Sequence, residues 1–121
     1  MGLTRVFERT VVDRAQRDPA FARSLFDEAL TLMFMGEPQA ARAILRNLIH
    51  ATLGFEALAE RIGRPAKSLR RMFSARGRPG MRDLASVVDS LRHWLSLSVH
   101  VRSTRIAPKC LAAEPSAQDD T

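Results

Sequence analysis

Glycine and proline divide this sequence into short segments, and the apolar residues within most segments recur at the spacing of an α-helix. The divisions lie at Asp18-Pro19, Gly36-Glu37-Pro38, Gly54, Gly63-Arg64-Pro65 and residues 77–80. Because proline suits the first turn of a helix and glycine suits its end, these divisions mark helix boundaries. A chain of 121 residues is also long enough to form one core without metals or disulfides. The pattern therefore predicts one all-α domain, a bundle of five to six helices.

Three helices are predicted in the N-terminal part of the chain. The first runs from Phe7 to Ala15 with Thr4 as a candidate N-cap, and Asp18-Pro19 and Glu37-Pro38 begin the other two. The second and third helices each carry an apolar stripe that is expected to face the core. In the second helix this stripe comprises Phe21, Leu25, Phe26, Ala29, Leu30, Met33 and Phe34. In the third it comprises Ala41, Ile44, Leu45, Leu48 and Ile49, with Arg42 and Arg46 on the opposite face.

Residues 55–75 match a helix-turn-helix, in which two short helices meet at a tight turn. The first helix is predicted over residues 55–62, Gly63 makes the turn, and Pro65 opens the second helix. Leu69 of the second helix is expected to pack against apolar residues of the first. Because plain helical hairpins share this pattern, the match alone does not establish DNA binding.

A final helix is predicted over residues 82–95, with Leu84, Val87, Val88, Leu91 and either Trp94 or Leu95 towards the core. Residues 95–101 then alternate apolar and polar side chains, which is the period of a β-strand. A lone strand leaves its backbone groups unpaired, so we expect two copies of the chain to pair these strands in a homodimer. Two alternatives stay open: pairing with residues 5–7, or a frayed helix end.

The predicted domain covers residues 1–102, and a disordered tail is predicted over residues 103–121. Proline, alanine, serine and aspartate dominate the tail, and no apolar period continues into it. The chain meets a charged residue at Arg5 and has no apolar run long enough to cross a bilayer. Its single cysteine, Cys110, cannot form an internal disulfide. These features predict a cytoplasmic protein that is not inserted in a membrane.

Positive charge is concentrated in one stretch, residues 61–82. This stretch contains eight basic residues and no acidic one, whereas the whole chain has a net charge of +6, so the remainder sums to −2. An arginine-rich composition explains why most of these residues are arginine, but it does not explain their clustering. A solvent-exposed face without a partner would normally interleave acidic residues with basic ones. The distribution therefore favours binding to a nucleic acid.

Helical geometry divides the basic residues of this stretch into two groups. On the second helix, Lys67, Arg70 and Arg71 point away from the apolar side, where arginine can grip a guanine edge with two hydrogen bonds. Arg76, Arg78 and Arg82 follow in the loop and the next helix, where we expect them to contact phosphates. Arg64 precedes the second helix and is also predicted to contact phosphate.

Four segments of the sequence resemble a known family. They are Asp18-Pro19-Ala20-Phe21, Gly36-Glu37-Pro38, residues 51–60 (ATLGFEALAE) and residues 65–72 (PAKSLRRM). Together they are similar to bacterial Cro/CI-like helix-turn-helix regulators of the HigA-related group, the antidote proteins of addiction modules. The resemblance covers about Arg5 to Val101, and it is most specific in the helix-turn-helix.

The resemblance implies a dimeric protein that binds operator DNA and represses its own operon, with a RelE-like ribonuclease toxin as a possible partner. By position, it places the base-reading surface on Pro65, Ala66, Lys67, Ser68, Arg70 and Arg71. Ala66 departs from the glutamine common near the start of such recognition helices, which makes guanine contacts from Arg70 or Arg71 the better hypothesis. The alternatives are a free-standing or phage-related repressor and a helical adaptor without DNA affinity.

Other functions find little support in the sequence. His50, His93 and His100 are scattered, and none lies at a recognisable spacing from a nucleophile, a paired carboxylate or a metal ligand. Residues 77–80 lack the length and the lysine of a phosphate-binding loop. We therefore expect no enzymatic activity, no cofactor and no metal. Duplex DNA is favoured over RNA because the chain has no tyrosine and its other aromatics fall mainly on apolar stripes.

Overall fold

Six helices make up the regular structure of the residues described by the computed structural model, which are residues 2–107, with side chains described from residue 7 onward. The helices are α1 (Gly2–Arg17), α2 (Pro19–Phe34), α3 (Pro38–Ala51), α4 (Gly54–Ile62), α5 (Ala66–Met72) and α6 (Met81–Trp94). The predicted all-α fold is confirmed for this part of the chain. No helix within it is both long and apolar enough to cross a membrane.

The helix boundaries follow the local signals of the sequence. The Asp18 carboxylate accepts hydrogen bonds from the backbone amides of Ala20 and Phe21, at 3.1 and 3.2 Å, and so caps α2. Gly36 ends α2 in the left-handed region, with φ at +84°, where the lack of a Cβ removes the steric cost. The predicted cap at Thr4 is wrong because α1 already begins at Gly2, which places Thr4 inside the first turn.

One core joins all six helices. The side chains buried in it are Ala15 from α1, Ala22, Phe26 and Ala29 from α2, Leu45, Leu48 and Ile49 from α3, Phe55 and Leu58 from α4, Leu69 and Phe73 from α5 and its end, and Val87 and Leu91 from α6. Since Leu69 and Phe73 are completely buried, α5 is part of the main core and does not form a separate unit.

The predicted core differs from the observed core at two residues, and the structure decides one open alternative. Phe34, expected in the core, lies in the last turn of α2 and is 65% exposed. Ala22, which was not predicted, is buried, since its small side chain lets the neighbouring helix approach closely. At the end of α6, Leu95 packs on the core and Trp94 is exposed, which decides between the two alternatives.

Residues 97–107 have no regular secondary structure in the single chain. Because a strand that pairs with a second copy has no partner in one chain, the dimerisation strand predicted over residues 95–101 stays a prediction. The alternative pairing with residues 5–7 is wrong, since these residues belong to helix α1. Of the tail predicted to be disordered, residues 108–121, including Cys110, lie outside the described residues.

Candidate nucleic-acid interface

The two helices predicted around Gly63 are confirmed as α4 and α5. Gly63 adopts the left-handed conformation, with φ at +72°, and the backbone amide of Arg64 donates to the carbonyl of Ala59 at 3.1 Å. This hydrogen bond closes the end of α4 and turns the chain sharply. Pro65 then precedes α5 in an extended conformation, and its carbonyl accepts from the amide of Leu69. The turn thus presents the outer face of α5 to solvent.

The base-reading candidates differ in exposure. Lys67, Arg70 and Arg71 are exposed, as the helical spacing predicts, whereas Ser68 is half-buried. Ser74, at the end of the helix, donates its hydroxyl to the carbonyl of Arg71 at 2.7 Å, which helps to close the last turn. The surface available to a ligand on α5 is therefore formed mainly by one lysine and two arginines.

Arg70 is not free on this surface. Its guanidinium forms an ion pair with Glu56 of α4 at 2.7 Å and lies 5.8 Å from the centroid of the Phe55 ring. The side chains of Arg70 and Glu56 are 53% and 78% exposed, so the pair is hydrated and contributes at most about 1 kcal/mol. Folding therefore brings an acidic residue to a stretch that has none in its own sequence.

Arg64 is also paired, with Asp83 in the first turn of α6. The Arg64 Nη2 atom lies 3.1 Å from the Asp83 carboxylate, which is only 18% exposed. This ion pair ties the turn of the helix-turn-helix to the start of α6. A phosphate contact by Arg64 would have to share or displace this partner.

The other basic candidates have no ion pair or side-chain hydrogen bond within the described part of the chain. They are Lys67, Arg71, Arg76, Arg78 and Arg82, and all five are exposed. Between Arg76 and Arg78 lies Gly77, which is buried, and a Cβ at that position would overlap the backbone carbonyls of Arg71 and Met72. The chain therefore passes directly against the end of α5, which keeps the loop arginines close to the exposed face of that helix.

Arg42 and Arg46 of α3 hold the C-terminal end of α5, a role that the sequence did not reveal. Arg42 donates to the backbone carbonyls of Ser74 and Ala75 at 3.0 and 2.8 Å. Arg46 donates to the carbonyl of Phe73 at 3.1 Å and pairs with Glu8 of α1 at 2.9 Å. The two guanidinium groups supply donors near the helix end, where positive charge is favoured by the helix dipole. The Ser74 carbonyl also accepts from the backbone amide of Gly77 at 3.0 Å.

Arg42 and Arg46 were predicted on the face of α3 opposite its apolar stripe, and the structure shows both half-buried against the residues that follow α5. Their spacing of four residues puts both on one helical face, and this spacing is the only signal of a shared role in the sequence. Their partners are backbone carbonyls, which every residue carries, so residue type gives no indication of the contact.

His50 lies in the last turn of α3, as expected for a helix-end residue. Its ring meets the edge of Phe55 with the ring centroids 5.2 Å apart. Partial burial, followed by the positive charges of Arg46 and Arg70, lowers the pKa of His50 below its usual value, while Glu8 opposes this effect. A neutral imidazole is therefore favoured beside the cationic surface.

No protein-family model, curated protein or solved structure matches this chain. The function proposed below therefore depends on the residues of the chain and on their arrangement.

Proposed function

We propose that this protein is a sequence-specific, double-stranded-DNA-binding transcriptional regulator that acts as a repressor. The observation that carries the proposal is the set of five exposed, unpaired cations on and just after α5, within the described residues: Lys67, Arg71, Arg76, Arg78 and Arg82. Like charges crowded together repel one another, and a polyanion such as DNA would neutralise them. The arrangement on the second helix of a helix-turn-helix matches the mode in which that helix enters the major groove.

Rigidity of α5 supports specific recognition. The helix is fixed by the buried side chains of Leu69 and Phe73. Arg42 and Arg46 also hold the backbone that directly follows it, at the carbonyls of Ser74 and Phe73. Base reading needs a helix whose side chains keep one register on the groove, because each contact depends on its position relative to the base edge. A flexible basic segment would bind phosphates without that register.

Duplex DNA is a better ligand than single-stranded RNA. Single-strand recognition relies on exposed aromatic side chains that stack with bases. The aromatic residues exposed in the described chain are Phe7 on α1, Phe34 on α2 and Trp94 on α6, while Phe73 beside the cationic surface is buried. The cationic surface thus offers charge and hydrogen-bond donors without a stacking platform.

We assign distinct roles within the surface. Within the described chain, Arg71 and Lys67 are unpaired and can contact base edges directly. Arg70 can contact a base edge only after its ion pair with Glu56 breaks. Ser68 is half-buried and contributes from the side of the helix. Arg76, Arg78 and Arg82 contact phosphates, and Arg64 contributes at the start of α5 while it shares Asp83.

A homodimer is part of the proposal. Val99 and Val101 are exposed on the segment that follows α6, and no backbone hydrogen bond from residues 98–102 is present within the described residues. An open groove of about 770 Å³ separates this segment from α2, and Phe34 and Met35 line it. Pairing this segment with the same segment of a second copy would satisfy its backbone and cover the exposed apolar residues beside the groove.

The biological setting is proposed from the resemblance to HigA-related antidote proteins: an antitoxin that represses its own operon and binds a RelE-like toxin. A free-standing or phage-related repressor is the alternative with the same DNA chemistry. The two are distinguished by whether a neighbouring gene encodes a small toxin that co-purifies with this protein.

The test is a fluorescence-anisotropy titration of the protein on its own upstream DNA and on a shuffled duplex of equal length, over a range of salt concentrations. We expect selective binding to the upstream DNA. Arg71→Ala should cost roughly 1 to 3 kcal/mol on the selected site and less on the shuffled duplex. Arg78→Ala should weaken both and reduce the salt slope by about one unit.

Arg9→Ala on α1 is the matched control, since it removes an exposed arginine away from α5. If all three variants weaken both duplexes equally, α5 does not read the sequence. If the protein shows no preference for any duplex, the regulator assignment fails and the helical adaptor becomes the better reading.

A further inference from the structure

A cavity of about 380 Å³ lies between α2, α3 and the segment that connects α5 to α6. Its floor is apolar: Ala41 and Leu45 are buried, and Met33 and Leu84 line it as half-buried residues. Small-molecule sites are concave and mostly apolar, with a few polar groups that fix orientation, and the volume falls within their usual range. None of the roles assigned above uses this cavity.

Two arginines, Arg42 and Arg78, also line the cavity. Arg78 is exposed and has no ion pair or hydrogen bond within the described chain. Arg42 uses Nε and Nη2 for the carbonyls of Ser74 and Ala75, which leaves its Nη1 group to donate elsewhere. No aspartate or glutamate lies among the described residues that line the cavity. Two positive charges thus border an apolar space without an acidic side chain to balance them.

We propose that this cavity binds a small organic carboxylate with an unbranched apolar body. The apolar body packs on Ala41, Leu45 and Leu84, and the carboxylate accepts hydrogen bonds from Arg78 and from the Nη1 group of Arg42. Arginine suits this role because its planar donors match the geometry of a carboxylate. An uncharged molecule of the same shape would fill the floor but leave both cations unbalanced.

The position of the cavity couples such a ligand to DNA binding. Arg42 holds the carbonyls that follow α5, and Arg78 is a proposed phosphate contact. A bound carboxylate competes with the phosphate for Arg78, while the Nε and Nη2 contacts of Arg42 to the carbonyls of Ser74 and Ala75 stay in place. This coupling rests on the proposed DNA-binding function, whereas the carboxylate site itself does not.

Octanoate is the probe for the site, with octanamide as its uncharged counterpart, and both are titrated into the protein without DNA by calorimetry. We expect octanoate to bind about tenfold more tightly than octanamide, because the amide loses the charge-assisted hydrogen bonds. Hexanoate should bind more weakly than octanoate by about threefold for each methylene removed. Methyl resonances of Leu45 and Leu84 should shift on saturation, which locates the ligand.

Arg78→Gln should weaken octanoate binding about tenfold. Because Arg78 is exposed, we expect the variant to keep its fold. Arg9→Gln carries the same charge change on α1 and should leave octanoate binding unchanged. The site is overturned if octanoate does not bind, if octanamide binds equally well, or if the two variants weaken octanoate to the same extent. The last result would indicate general attraction of an anion to a basic protein.

Saturating octanoate should raise the Kd for upstream DNA by at least about fivefold, and saturating DNA should weaken octanoate by the same factor. Arg78→Gln should reduce this ratio towards one. If octanoate binds and the protein binds no DNA, the carboxylate site stands while the coupling and the proposed function fall. If both ligands bind without affecting each other, the coupling is overturned.

Discussion

Arg70 and Arg71 are adjacent and chemically identical, yet their surroundings separate their roles. Arg70 is held by Glu56 at 2.7 Å, while Arg71 is exposed and has no ion pair or side-chain hydrogen bond among the described residues. To accept a hydrogen bond from Arg70, a base edge must first displace the Glu56 carboxylate. Arg71 can donate hydrogen bonds to a base edge without losing a partner. Under the proposed function, Glu56 therefore opposes DNA binding in two ways. It pairs with Arg70, and its negative charge repels phosphates.

Replacing Glu56 with glutamine should increase the affinity for DNA. The change frees Arg70 and removes one negative charge, so we expect affinity for both the upstream and the shuffled duplex to rise about two- to fivefold at low salt. Glu60→Gln is the matched control, since Glu60 is an exposed α4 carboxylate outside the Arg70 pair. Anisotropy titrations that show equal gains for the two variants would contradict a specific role for Glu56.

The lowered pKa of His50 has a defined effect on stability. Because burial and then Arg46 and Arg70 lower this pKa in the folded state, the unfolded chain binds more protons than the folded chain as the pH falls below about 6.5, the usual histidine pKa. The stabilisation is therefore complete above that pH and is lost as the pH falls through the folded pKa.

Urea unfolding of the wild-type protein and of His50→Gln measures this effect. The free energy of unfolding of the wild type should fall more steeply between about pH 7 and pH 5. The two pH profiles should run parallel at higher pH. Parallel profiles over the whole range, or an NMR titration midpoint for His50 above that of an unfolded peptide, would contradict the lowered pKa.

At the scale of the element, α5 shows how a short helix becomes a rigid one. Seven residues are too few for a stable isolated helix. Its inner face is fixed by Leu69 and by Phe73 just beyond its end. Two arginines from α3 donate to the carbonyls of Phe73 and Ser74, which directly follow the helix. Arg46 also pairs with Glu8, so α1 is connected through α3 to the end of α5. The N-terminal helices thus support the proposed interface without forming part of it.

Arg46→Met should destabilise the protein by about 1 to 3 kcal/mol, because the carbonyl of Phe73 loses its donor and Glu8 loses its partner. Glu8→Gln removes only the half-exposed ion pair and should cost at most about 1 kcal/mol. Urea unfolding of both variants, with Arg9→Met as the surface control, separates the two contributions. Equal effects of Arg46→Met and Arg9→Met would show that the contact with Phe73 does not stabilise the fold.

On the scale of the whole molecule, two exposed surfaces stand out. The unpaired cations follow one another along α5, the connecting segment and the start of α6, while Phe34, Met35, Val99 and Val101 are exposed around the groove beside α2. Exposed apolar patches commonly mark interaction sites. The two surfaces are formed by different segments, which is compatible with a dimer that presents two recognition helices to successive turns of the major groove.

Val101→Lys should disrupt this dimer, because it places a charge in the proposed pairing face. Sedimentation should then report the mass of a single chain where the wild type reports two. Ile106→Lys, a control at another exposed apolar residue, should leave the dimer intact. A wild-type mass of one chain, or equal dissociation by both variants, would remove residues 97–101 from the interface.

Most helix boundaries and most of the core were determined by the sequence alone, whereas α1 extends beyond the predicted Phe7 to Ala15 at both ends. Asp18, Pro19, Gly36 and Gly63 act on the backbone within a few residues of themselves, and the apolar period records which face of each helix is buried. Such signals are local, so they can be recognised before the fold is known. The clustering of cations between residues 61 and 82 was visible for the same reason.

Only the tertiary structure decided which of these cations are paired. Arg70 meets a carboxylate 14 residues away, and Arg42 and Arg46 reach backbone carbonyls 27 to 33 residues away. Every residue has a backbone carbonyl, so residue type does not predict which carbonyl an arginine contacts. Helical spacing does not relate positions this far apart in the sequence. The cavity at Arg78 likewise depends on tertiary structure. It is the space between α2, α3 and the segment that connects α5 to α6, and the sequence does not predict how these elements pack.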